Sequence, residues 1–178
     1  MQGVLLLLGL WLTVRGARRH AKGTALLLCA LLLLCMGGQL WALWRMDALT
    51  VQTALPLHLC GAFAVLCVPM VLLKLRPLHD LVWLLGAPCA LLALLFPAIL
   101  PARDALVMTL SFYGVHVLIL CCALLVKLET GWPLPQSGRG ALLCLNAFAL
   151  LAQAVNRRYD CNYLFLRVAP QKPPLAFL

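Results

Sequence analysis

Charge is scarce in this chain. Of its 178 residues only 11% are charged, and acids are scarcest: five Asp and Glu against 14 Lys and Arg. Soluble domains are about 45–50% apolar, whereas 65% of these residues are hydrophobic and the mean hydropathy is +1.02. No soluble domain of this size buries so much apolar surface, so the chain reads as an integral membrane protein. Other absences narrow the class further. No zinc-type spacing links the nine cysteines, so no metal site and no cofactor are implied. Most lie in apolar runs, where a free thiol behaves as a small hydrophobe. A disulfide framework belongs to small secreted domains instead. The first apolar run has its positive charges after it, which excludes a secretory signal peptide. Long loops are missing, and with them any attached soluble domain. No internal repeat of the transporter kind is visible. The net charge of +9 would suggest nucleic acid in a soluble protein. Here the basic residues cluster in short loops, where they set topology and meet anionic headgroups, so no nucleic-acid partner is expected.

What is present is a series of apolar runs near the length of membrane helices. They are Gly3 to Val14, Thr24 to Trp44, Ala54 to Leu75, Leu78 to Leu95, Ala105 to Val126 and Ala141 to Val155. The expected fold is an all-α polytopic membrane helical bundle of about six spans. Residues 1–178 form a single integral membrane domain. Pro88 is expected to kink the fourth run. Residues 156–178 form a mixed C-terminal segment, partly packed on the bundle, with a proline-rich end expected to be disordered. Arg15, Arg18, Arg19 and Lys22, then Lys74 and Arg76, then Lys127 and Arg139 mark alternate loops. The positive-inside rule places those loops in the cytoplasm and the N-terminus outside. Arg157, Arg158, Arg167 and Lys172 break the alternation. Trp41, Trp44 and Trp132 fit an interfacial aromatic belt.

Ionisable groups inside such runs are functional suspects by default. Of the four histidines, His58 and His116 fall in or near spans, and His20 and His79 fall in basic loops. Cys60 lies near the start of the third run, and His116 lies mid-way along the fifth. With the N-terminus outside, both helices enter the membrane from the same side. Counting ~1.5 Å per residue puts the two groups within roughly one or two helical turns in depth. These helices are expected to be neighbours, with Cys60 and His116 in direct or one-water reach. A thiol needs a base to become a thiolate nucleophile, and a nearby imidazole provides one. No carboxylate lies in the cores of the third, fifth or sixth helices. The group orienting the base is therefore an amide such as Asn146 or Asn156, or a backbone carbonyl.

The surrounding faces supply further candidates. Thr109, Phe112, Tyr113 and His116 share one side of the fifth helix. Asn146, Gln153 and Asn156 form a stripe on the sixth, expected to point inward because lipid offers no hydrogen-bond partner. Thr53 and Cys67 are expected on the face of Cys60. His58 is either a headgroup-level residue or is brought in by a turn distorted at Pro56. A non-enzymatic membrane protein, such as a small transporter or assembly factor, uses the same polar residues only to join helices.

Several pieces carry a resemblance. They are Pro56-Leu57-His58-Leu59-Cys60, Gly86 followed by Phe96-Pro97, Ser111-Phe112-Tyr113-Gly114-Val115-His116, Asn146 with Asn156, and Asn162-Tyr163-Leu164-Phe165-Leu166 leading to Pro170. In this order they resemble the YwaF-like integral membrane family, which includes the transmembrane protein 164 acyltransferases. The resemblance implies a helical bundle that moves fatty acyl groups between glycerophospholipids, with membrane phospholipids as donor and acceptor. It implies Cys60 and His116 as catalytic residues. His58, Tyr113, Asn146, Asn156, Asn162 and Tyr163 stand as supporting or substrate-binding residues. For a bacterial source the implied location is the plasma (inner) membrane. Family members usually continue into a last apolar helix, and the chain stops at Leu178.

Overall fold

In a computed structural model of the chain, residues 2–97, 99, 103–135 and 137–169 are described; the proline-rich end, 170–178, lies outside them. The first helix, α1 (Gln2–Trp44), leaves helical geometry at His20, with φ −147° and ψ 60°. Gly16 lies against the Thr24 side chain, although eight residues along a straight helix are about 12 Å apart. The chain therefore folds back at His20 into two arms, 2–19 and 21–44. Both arms outrun the first two apolar runs, because Arg15, Arg18, Arg19 and Lys22 sit in the helical turns on either side of the bend.

The arms pack on α6 (Ala105–Thr130), the most buried helix of the molecule. Small residues let the backbones approach closely. A methyl on Gly9 would stand 2.9 Å from Val117, one on Gly38 2.5 Å from the Ser111 hydroxyl, and one on Gly114 2.5 Å from the Cys35 sulfur. Rising numbers in the second arm meet falling numbers in α6, so this pair is antiparallel.

Pro56 resets the start of the third helix. A short helix, α2 (Val51–Ala54), comes first, and α3 (Leu59–Leu73) begins only after an extended His58. Thr53 thus belongs to α2, where it closes a capping box with Thr50, and it does not share the α3 face of Cys60. The fourth run is one bent rod made of α4 (Arg76–Leu81), a π-helical stretch (Val82–Gly86) and α5 (Ala87–Leu95). Pro88 has no N–H for the carbonyl four residues back. The widened turn just before it absorbs the defect. Phe63 of α3 packs on Gly86 in that turn, where a methyl would lie 3.0 Å from the ring.

Helices α3 and α6 run side by side and parallel. Cys122 lies beside Cys67, and Lys74 pairs with Glu129 at the same 55-residue offset. The basic residues Lys74 and Lys127 and the bend at His20 therefore share one end of the bundle. The other end carries Arg45 paired with Asp104 at 3.6 Å, α2 and the start of α3. The last helix, α7 (Arg139–Tyr159), lies at the periphery and buries only Ala141, Ala152 and Asn156. His79 is a correction. It lies within α4, fully buried, with its ring 5.7 Å from that of Trp83 and 5.6 Å from that of Trp132. The helix starts at Arg76, so the position after the basic pair already turns inward.

Candidate functional site

The parallel register of α3 and α6 fixes relative depth. Carrying the offset of Lys74–Glu129 back along α3 sets Cys60 level with Val115, one residue from His116. The expected difference of one or two turns disappears because the first residue of α3, Leu59, lies level with Gly114, nine residues beyond the start of α6 at Ala105. Cys60 is the second residue of α3. It lies on the stripe of Ala64, Cys67 and Val71, all buried against the core. Its thiol is free and partly buried, and the Cys89 thiol of α5 lies nearby.

His116 is 5% exposed. Its Nδ1 lies 2.6 Å from the Phe112 carbonyl one turn earlier, and its ring packs on Phe112 at 4.4 Å between centroids. A carbonyl only accepts, so Nδ1 carries the proton and Nε2 keeps the lone pair. The backbone carbonyl, the second of the two sequence alternatives, is the group that orients this imidazole. Tyr113 is buried beside it, its ring edge-on to Phe112 at 5.5 Å. Cys60 and His116 share no hydrogen bond.

Asn146 is also a correction. It is exposed on α7 and bonds back to its own helix at the Leu142 carbonyl, 2.8 Å away. A peripheral helix has only a narrow packed face, so the stripe does not point inward as a whole. Asn156 is fully buried, but its neighbour is the C-terminal segment. Its Nδ2 donates to the Tyr163 carbonyl at 3.0 Å, and its Oδ1 accepts the Tyr163 N–H at 2.7 Å. Asp160 adopts a left-handed conformation at the end of α7 and turns the chain back.

The reversed segment closes the end of the bundle where α3 starts. The Tyr163 hydroxyl donates to the Val51 carbonyl, and its buried ring lies 4.9 Å from that of His58. Asn162 donates its N–H to Gln52 Oε1. Its own Oδ1 accepts the N–H groups of Arg167 (3.0 Å) and Val168 (3.2 Å). Gln52 Nε2 lies 3.2 Å from His58 Nε2. The amide nitrogen is a donor only, so His58 accepts there and carries its proton on Nδ1. Burial pushes the His58 pKa down and the Tyr163 pKa up, and both shifts favour neutral groups. Gln52 escaped sequence reading, because a lone amide in a polar connection carries no periodic signal.

The first turn of α3 adds donors. The first helical bond runs from the Ala62 N–H to the His58 carbonyl at 2.9 Å. The N–H groups of Leu59, Cys60 and Gly61 have no acceptor within the helix, and the His58 side chain does not cap them. A methyl on Gly61 would stand 3.2 Å from Pro56 Cα, so glycine lets the Pro56 turn sit over these groups. Among the described residues, no cluster of three or more His, Cys, Asp or Glu could hold a metal ion.

Among the described residues, four helices are long and apolar enough to cross a membrane, and three of them, α1, the Arg76–Leu95 rod and α6, pack with α3 around one core. This is the architecture of an integral membrane helical bundle. The chain belongs to the TMEM164 family, whose model matches residues 2–178. No curated protein and no solved structure matches it.

Proposed function

We propose that the protein is a membrane-embedded acyltransferase that moves fatty acyl groups between glycerophospholipids through Cys60 and His116. The observation that carries this reading is the parallel register of α3 and α6. It brings the start of α3, with its thiol, to the depth of an imidazole whose Nδ1 is already tied to a carbonyl.

In the reaction, His116 Nε2 takes the Cys60 proton and the thiolate attacks the ester carbonyl carbon of the donor lipid. The oxyanion is met by the unpaired N–H groups at the start of α3. This replaces Asn146 and Asn156, which are used elsewhere. The ester C–O bond breaks, and the lyso-lipid alkoxide leaves with the proton from His116. The acyl group rests on Cys60 as a thioester. A second lipid hydroxyl then gives its proton to His116 and attacks the thioester. The C–S bond breaks and the thiol is restored. Proton transfer to His116 and the positive end of the α3 dipole oppose the cost of forming a thiolate in this buried setting. Cys60 closes on His116 as the donor lipid binds, since catalytic hydrogen bonds are often long in the unliganded state. Water, the competing acceptor, is scarce at this depth.

The test is acyl exchange by the purified protein in vesicles with a labelled donor phospholipid. Cys60→Ala abolishes transfer, while Cys67→Ala, two positions further along the same stripe, keeps most of it. Full transfer by Cys60→Ala removes the reading.

A further inference from the structure

A groove of about 380 Å³ lies between α3, the bent rod and α7. Its walls include Leu59, Ala62, Leu66, Leu81, Leu85 and Phe148. Every lining side chain other than Cys144 is hydrocarbon. We propose that this groove holds one acyl chain of a membrane phospholipid, with the ester end at the first turn of α3.

Four observations support that occupant. The lining offers neither charge nor amide to a headgroup, and ordered water there would lack polar partners. A volume near the lower end of ligand pockets, about 300–1,000 Å³, suits one narrow ligand. A further helix, about 10 Å across, does not fit. The α3 wall runs from Leu59 to Leu66, ~10 Å of rise along the helix. That direction matches a chain in a leaflet, about half of a ~30 Å hydrocarbon core. Finally, the upper rim is Pro56 and Leu59, beside the free N–H groups and Cys60. The partly buried α7 forms the outer wall, so a chain enters sideways from lipid. The placement of the ester end rests on the acyltransferase reading; occupancy of the groove by a chain does not.

Photolabelling separates the two. The full chain is placed in vesicles of phosphatidylcholine carrying a diazirine on one acyl chain, irradiated, and mapped by peptide mass spectrometry. Adducts are expected to concentrate in segments 59–66, 78–85 and 144–148, in wild type and in Cys60→Ala alike. Ala62→Trp, which fills the groove, lowers them at least fivefold, while Phe148→Ala, which widens it, raises them. Opposite changes in two variants do not come from misfolding. Adducts spread evenly with lipid-facing Leu142, Leu143 and Leu150 overturn the proposal, as do equal losses in both variants. Groove labelling without a Cys60 thioester in wild type overturns the acyltransferase reading and leaves the groove assignment standing. A thioester without groove labelling does the reverse.

Discussion

His58 links the C-terminal segment to the start of α3 only while its imidazole is neutral. Its Nε2 accepts from Gln52, whose other end holds the Asn162 N–H. A protonated ring presents a donor to a donor. Burial sets the His58 pKa below its ordinary 6.5. A folded-state value below the unfolded one means that the stabilisation is complete above about pH 6.5 and is lost as the pH falls through the lowered value. The protection factors of the Asn162 and Tyr163 amides, taken relative to the intrinsic exchange rate at each pH, should fall as the pH drops through that range. In His58→Phe, which keeps the ring packing on Tyr163 but has no imidazole, the pH step should vanish. An unchanged step in that variant assigns the effect to another group. Gly61 gives a second residue-scale prediction. Gly61→Ala pushes a methyl against Pro56, displaces the turn over the first N–H groups, and should lower transfer at least tenfold with little change in thermal stability. Equal losses of both would make Gly61 a folding residue only.

Among the elements, the C-terminal segment is held by a two-sided amide clamp. Asn156 satisfies both backbone groups of the fully buried Tyr163. Removing a partner from a buried polar group costs about 1–3 kcal/mol for each orphan. Asn156→Ala should therefore free the segment while the bundle stays folded. Limited proteolysis reads this as new cleavage within 160–168 ahead of any cut in α6, and resistance equal to wild type counts against the clamp. Element identity was largely legible in the sequence. The charge run through Arg15 and Lys22 marked the fold-back at His20, and each apolar run became a helical element. Boundaries were less legible, because apolarity continues through Pro56 while helical hydrogen bonding does not. The π-helical stretch before Pro88 has no compositional mark. Asn146 was misplaced because equal spacing along a helix says which residues share a face, not whether that face is packed. His79 was misplaced because Lys74 and Arg76 lengthen a loop on paper, whereas the structure starts α4 at Arg76.

For the whole molecule, α6 is the axis on which both arms of α1, α3 and the bent rod are assembled. Its glycine contacts with the arms determine how closely the helices approach. Gly114→Leu sets a branched side chain where a single methyl already stands 2.5 Å from Cys35. It should separate the second arm from α6 and lower the melting temperature by several degrees, read by tryptophan fluorescence in detergent. Gly140→Leu, where a methyl meets nothing within 4 Å, should leave it near wild type. The candidate site was legible as a pair of residue types, Cys60 and His116. Its register was not, since depth depended on where α3 begins. Equally hidden was the Phe112 carbonyl, because a backbone acceptor leaves no trace in side-chain patterns. The central claim is that Cys60 carries the acyl group, and intact-protein mass spectrometry after incubation with donor phospholipid tests it directly. The wild type should gain the mass of one acyl chain less one hydrogen, removable by neutral hydroxylamine as a thioester is. His116→Ala should form this adduct about 10²–10⁴-fold more slowly, the usual span for losing a general base, and Cys60→Ala should not form it. An adduct of the same mass and hydroxylamine sensitivity on Cys60→Ala would contradict the account.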